Sequence, residues 1–230
     1  MPHPIPQLIS AMCDDPRMKT EDLVSLLSTG AEAVDLRLTS RRWLLALAGG
    51  ALIAFLLTAG LLKLNPALWH ETSKPMFWVR ESYCTVLGVL GFITVVRLAR
   101  PGLRLGLAPM GIPLAVIAMW VLAVVTLMAA SPQNRARLIL GHTAGVCPFL
   151  IALVAAPLLI ALLGVMRSLA PTRLRWAGAG AGFTAGSIGA LVYTLHCPEL
   201  AAPFLGIWYL LGMLIPTAIG AWLGPRLLRW

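Results

Sequence analysis

Long runs of apolar residues alternate along the chain with short polar segments. Runs nearly free of charge cover Leu44–Leu62, Met76–Val96, Pro109–Ala130, Val146–Met166, Ala177–Leu195 and Ala202–Leu223. Each is close to the ~20 residues a helix needs to cross a bilayer, where no water is present to hydrogen-bond a stray backbone amide. The pattern predicts an all-α fold: an integral membrane bundle of six transmembrane helices, with a short cytoplasmic N-terminal amphipathic helix before it. The second run is the weakest, because Arg80 and Glu81 interrupt it and leave Ser82–Val96 as its clean part. Phe77, Trp78 and Tyr83 stand where an interfacial aromatic belt is expected. Gly178, Gly182 and Gly186 recur at i+4 in the fifth run, and Gly212, Pro216, Gly220 and Gly224 in the sixth, a spacing that lets helix backbones approach closely. The Gly/Ala run from Gly178 to Phe183 lacks the third glycine and the preceding strand of a dinucleotide loop, and it is expected to face lipid.

Composition strengthens this reading. Hydrophobic residues make up 59% of the 230 and charged residues 12%, with a mean hydropathy of +0.84. Water is not the main solvent of such a chain. With the N-terminus inside, thirteen of the eighteen Lys and Arg residues fall on the cytoplasmic side, in groups such as Arg41–Arg42, Arg97–Arg104, Arg167–Arg175 and Arg226–Arg229. The positive-inside rule then places both termini in the cytoplasm of a multi-pass inner-membrane protein. Basic residues flanking spans bind lipid phosphates, so the net charge of +9 does not argue for direct nucleic-acid binding. Apart from Arg80 and Glu81, no Asp, Glu, Lys or Arg lies within a run, which disfavours a small transporter or permease, the main alternative function.

The first forty residues differ from the rest. Residues 1–17 are patternless and are predicted to be a disordered extension, whereas Met18 opens a more start-like segment. From Thr20 the chain predicts a short helix, with Thr20 as N-cap, Glu21 and Asp22 at the positive end of the dipole and Gly30 as the stop. Leu23, Leu26 and Leu27 share one face. Between Asp14 and Leu36 there are six acids and two bases, in a chain that is otherwise strongly basic. A helix this short is marginal alone, so an apolar stripe on it makes sense if a basic partner completes it in a groove. Residues 18–43 therefore form a candidate partner-binding segment, and 44–230 the membrane domain.

The candidate chemistry lies at the other side. Cys84, Cys147 and Cys197, with His70, His142 and His196, all map to the outer face, where the compartment is oxidising. Cys147 and Cys197 each precede a proline at the outer mouth of a span. At Cys147 the thiol sits at a helix N-terminus, where the dipole is expected to favour thiolate. Thiols with imidazoles suit soft metal ions, but the spacing matches no zinc motif. Packing alone is the other explanation, and it is strongest for Cys84, which is followed by Thr85, Val86 and Leu87. No Ser-His-Asp set, paired carboxylates or phosphate loop stands out, so no enzyme and no resident cofactor is expected, and the sequence assigns no oligomeric state.

The segment Met18–Leu23, the bases before the first run, Gly141-His142 through Cys147, and the ending from His196-Cys197-Pro198 through Trp208-Tyr209 to Trp230 resemble the NrsF family in order and spacing. Its members are negative regulators of sigma F, six-span membrane anti-sigma factors. The resemblance implies that an extracytoplasmic-function (ECF) sigma factor is held at the inner membrane and released under heavy-metal or oxidative stress. It further implies that Cys147 and Cys197 are the sensor residues, with transient heavy-metal binding; His142, His196 and Cys84 are candidate sensor or metal residues from their outer-side placement alone. Glu21, Asp22, Leu23, Leu26 and Leu27 become the candidate sigma-binding residues. Cys13, Cys84 and residues 1–17 fall outside the family pattern.

Overall fold

A computed structural model describes Glu21, Val24, Ser25, residues 36–100 and residues 106–229, with the side chains of residues 36–39 left aside. Asp22, Leu23, Leu26, Leu27, Cys13 and the 1–17 extension lie outside the described residues, while Glu21, Val24 and Ser25 are helical and exposed. All regular structure among the described residues is helical. The elements are α1 (Leu36–Leu57), extended by a π-helical turn over Thr58–Leu62, α2 (Leu68–Glu71), α3 (Pro75–Leu98), α4 (Ala108–Ala129), α5 (Pro132–Leu140), α6 (Cys147–Arg167), α7 (Leu174–Tyr193), α8 (Ala202–Phe204) and α9 (Leu210–Leu227), the last two joined by a π-helical turn over Leu205–Tyr209.

Residues from Ser40 onward form one unit. Among the described residues, five helical stretches are long and apolar enough to cross a membrane: Ser40–Leu62, Pro75–Leu98, Ala108–Ala129, Cys147–Arg167 and Ala202–Leu227. The first and third bury the fewest of their own residues. α4 exposes Leu114, Ile117, Val121, Val124 and Met128, and α1 exposes Leu44, Leu52, Ile53 and Leu56. Such broad apolar surface is stable only against hydrocarbon or a partner.

α7 occupies the place of the fifth predicted run, yet its Gly/Ala-rich composition keeps it out of that set. It is the most enclosed helix, packed against α9, α3 and α6. The expectation that Gly178–Phe183 faces lipid is therefore corrected: Gly178, Gly182 and Gly186 are turned onto α9. A Cβ on Gly178 would strike the Gly220 carbonyl, one on Gly182 the Pro216 carbonyl, and one on Gly186 would lie 2.9 Å from Met213 Cα. Small residues make this approach possible, because dispersion falls away quickly with separation and lipid supplies no hydrophobic drive between helices.

α3 matches the second predicted run, and only its aromatics differ from expectation. It runs unbroken from Pro75 to Leu98, with Pro75 at its first turn. Of the three supposed belt aromatics only Trp78 faces outward, at 61% exposed, while Phe77 and Tyr83 are buried at 8% and 6%. Phe77 turns inward because it lies under the Arg80 guanidinium, 5.2 Å from carbon to ring centre, and Tyr83 belongs to the core that holds Cys84, Cys147 and Cys197. Two tryptophans tie the thiol-bearing end together: Trp120 Nε1 donates to the Gly206 carbonyl (2.9 Å) and Trp208 Nε1 to the Ile139 carbonyl (2.8 Å).

Candidate functional site

The site is assembled from three connections that meet at one end of the bundle. The first is the turn before α6. Gly141 has φ +52°, a conformation that favours glycine, and a Cβ there would lie 2.8 Å from the Glu199 carboxyl and displace it. The turn then presents Cys147 at the start of α6, its amide bonded back to the Thr143 carbonyl at 2.9 Å. The second connection, between α7 and α8, carries Cys197, whose amide bonds to the Tyr193 carbonyl at 3.1 Å. The third is the segment between α1 and α3, whose Asn65 amide donates to the Leu195 carbonyl at 2.9 Å.

Cys147 and Cys197 are both fully buried, both free, and hydrogen-bonded to one another. The Cys147 thiol donates and the Cys197 sulfur accepts, and this contact pulls the Cys197 thiol down to about 6 against the opposing effect of burial. The Glu199 backbone N–H adds a second donor to that sulfur, and Thr143 Oγ1 lies 4.0 Å away. The Tyr209 hydroxyl is buried without a partner of good hydrogen-bond geometry, but it faces the Cys197 sulfur closely enough to favour its thiolate. Tyr193, which also reaches both sulfurs, packs 6.0 Å from Tyr209 between ring centres. The donors gathered around the Cys197 sulfur favour thiolate character there.

Cys84 is buried in the same cluster on α3, next to Tyr83. The imidazoles are directed elsewhere. The His196 ring bonds through Nδ1 to the Lys63 carbonyl at 2.9 Å and stacks at 5.6 Å on Tyr193, while His142 is exposed and offers its backbone N–H to Glu199 Oε1 at 2.7 Å. Among the described residues no three His, Cys, Asp or Glu side chains converge as a metal-holding group. The built chemistry is a two-thiol site, able to bridge a soft ion or to close to a disulfide.

Two residues that hold the site were not singled out from sequence. Glu199 clamps the His142 turn, and Arg80, wholly buried, donates to the carbonyls of Cys197 (2.8 Å), Glu199 (3.2 Å) and Thr194 (3.3 Å). An Arg–Glu pair inside an otherwise apolar run was the available signal, since intramembrane charges are retained for function.

With this geometry in hand, the comparisons with known proteins decide the family. A family model described as "NrsF: Negative regulator of sigma F" matches residues 27–230. The chain belongs to the NrsF family. Among its relatives, the "Probable anti-sigma-F factor NrsF" of Azospira oryzae is 46% identical over 213 residues, 93% of this chain and 100% of the relative. The "Anti-sigma-F factor NrsF" of Caulobacter vibrioides is 36% identical over 217 residues, again 93% of this chain and 100% of the relative. No solved structure matches. Within this NrsF chain the whole thiol site, from Cys84 to Glu199, falls in the matched region.

Replacing Cys147 by alanine removes the main donor to Cys197 and should raise the midpoint of its alkylation from about 6 toward the ~8.5 of an ordinary thiol. Serine at the same position keeps a donor and should hold the midpoint low. The sign follows from the lowered value: the thiolate and its hydrogen bonds are present above the midpoint and lost as pH falls through it. Alkylation of the Cys197 peptide followed by mass spectrometry across pH reads this directly, and equal midpoints in the two variants would contradict it.

Proposed function

We propose that the chain is a membrane-held anti-sigma factor. It sequesters an ECF sigma factor through its N-terminal cytoplasmic segment and releases it when the Cys147–Cys197 pair, on the periplasmic side of the inner membrane, meets heavy metal or oxidant. The observation that carries the reading is the buried, hydrogen-bonded thiol pair at one end of a bundle whose family regulates a sigma factor. The basic residues at the opposite end support the orientation, with both termini inside.

In this reading the bundle crosses the bilayer six times. α7 serves as a crossing by length, since its 20 residues at ~1.5 Å each span about 30 Å, and it needs few large apolar side chains because helices, not lipid, surround it. A soft metal ion would displace the protons of the pair and bridge both sulfurs. An oxidant such as a peroxide would instead accept two electrons, the pair losing its remaining protons as an S–S bond forms. Both outcomes change the sulfur–sulfur separation, and a stimulus shifts an equilibrium only through such a difference between the two states. Transport fits less well, because the long helices carry their charges at their ends apart from Arg80 and Glu81.

The test uses the full-length chain in cells, with a reporter of sigma activity and recovery of the sigma factor from membranes. Cys147→Ser and Cys197→Ser should each keep the sigma factor on the membrane while blunting its release by metal or oxidant. Normal release in either variant removes that residue from the sensor, and absence of any sigma factor from wild-type membranes removes the function.

A further inference from the structure

Arg80 stands out as a buried cation whose partners are almost all backbone. Its side chain is 0% exposed, and its hydrogen bonds go to the peptide carbonyls of Thr194, Cys197 and Glu199. Among the described residues the carboxylate paired with it is Glu81, with Nε 3.4 Å from Oε1 but without an aligned hydrogen bond, and the Phe77 ring lies beneath its plane. A guanidinium shut away from water cannot give up three carbonyls without taking up others, since a buried unsatisfied donor is costly. Any movement of the Cys197 segment therefore has to move Arg80 or strand it. Arg80 is anchored in α3, a helix that continues without a break from the thiol end to Leu98 at the other end and packs along α7 and α4.

We propose that Arg80 is the positioning residue that fastens the Cys197 segment to α3 and passes the state of the thiol pair to the bundle. The inference rests on the reading of that pair as the sensor. At rest the three carbonyls cage the guanidinium. When Cys197 is bridged or oxidised its segment is drawn toward Cys147, the cage opens, and α3 shifts to satisfy the freed cation. Glu199 works from the other side, since its backbone carbonyl accepts from Arg80 while its carboxylate holds the His142 turn, so both cysteine-bearing connections are tied to one helix.

The experiment labels the full-length chain in native membranes with N-ethylmaleimide and follows Cys197 and Cys84 separately by mass spectrometry, in wild type, Arg80→Gln and Arg80→Lys. Cys84 lies one turn from Arg80 on the same helix and is itself fully buried, so it reports any general loosening. In Arg80→Gln, labelling of Cys197 should rise about tenfold or more, as expected when charge-assisted hydrogen bonds that oppose local opening are lost, with Cys84 unchanged. Arg80→Lys should fall between, since an ammonium keeps the charge but cannot bridge three carbonyls in one plane. Stress-induced release of the sigma factor should drop in Arg80→Gln and partly recover in Arg80→Lys, while unstressed retention stays at the wild-type level. Unchanged Cys197 labelling in both variants, a parallel rise of Cys84 in both, or full release in Arg80→Gln would each overturn the assignment. A normal stress response in Cys197→Ser would instead sink the sensor reading and leave the labelling result standing.

Discussion

Gly182→Leu should prevent the bundle from assembling, and Gly182→Ala should already destabilise it strongly. A Cβ at this position meets the Pro216 carbonyl group and lies 2.7 Å from Thr217 Cα, all of it backbone that cannot rotate away. Inserting atoms into a packed interface costs about 1–3 kcal/mol when side chains can give way, and more when two helices must separate. The reciprocal contacts make the seam a unit, since a Cβ on Gly220 or Gly224 would strike the carbonyl of Gly178 or Leu174. Gly164 and Gly49 provide the comparison, with nothing within 4 Å of a Cβ at either. Alanine there should be neutral or stabilising by about 0.5–1 kcal/mol, because a helical glycine sacrifices more backbone freedom on folding. Unfolding of the detergent-solubilised chain, followed by circular dichroism, checks both. Similar midpoints for Gly182→Ala and Gly164→Ala would show that α7 and α9 do not meet as described.

The second large effect concerns the acidic segment. Reversing Glu21, Asp22 and Glu32 to lysine together with Leu26→Asp should abolish co-purification of the sigma factor. In the proposed complex Leu26 fills an apolar groove, worth about 1.5–3 kcal/mol for a buried leucine. Putting a carboxylate in that groove adds the cost of desolvating it, and like charges brought together across an interface cost several kcal/mol more. A combined loss above about 4 kcal/mol weakens binding roughly a thousandfold. The same variant should still reach the membrane with Cys84, Cys147 and Cys197 protected as in wild type, because the bundle has its own core. Retained sigma binding in the quadruple variant would place the docking surface elsewhere on the chain.

These two effects differ in how far they were legible beforehand. The i+4 glycines of the fifth and sixth runs signalled close helix approach, and the structure pairs them through Gly178–Gly220 and Gly182–Pro216. Gly212 carries the same sequence signal but turns to α6, where a Cβ would sit 2.8 Å from Ile151 Cδ1. Spacing shows that a face is small without showing which neighbour uses it. The two tryptophans that brace α4 and α5 were equally silent, because their carbonyl partners lie 86 and 69 residues away.

The thiol site divides in the same way. From sequence, the placement before proline put Cys147 and Cys197 at the same end of predicted spans, and the family resemblance paired them. His142 and His196 shared that placement and yet serve as braces, one through its backbone and one through a carbonyl bond, since a residue's neighbourhood does not fix where its ring points. The π-helical turn over Leu205–Tyr209 adds a residue to one turn of the last span, and it is this local shift that leaves Leu205, Gly206 and Tyr209 all buried.

By itself, the sequence determined the helical class, the approximate position of the long apolar helices, and the contrast between an acidic N-terminal segment and a basic, apolar remainder; it placed the start of the first helix at Leu44, eight residues after its observed start at Leu36. Those properties are local, set by hydrophobic length and charge along the chain. The tertiary structure alone decided which thiol accepts, which helix is enclosed, and that Arg80 is the keystone of the Cys197 segment rather than a flaw in the second span. Arg80 and Cys197 are 117 residues apart, and what a buried cation does depends on the carbonyls that the fold brings to it.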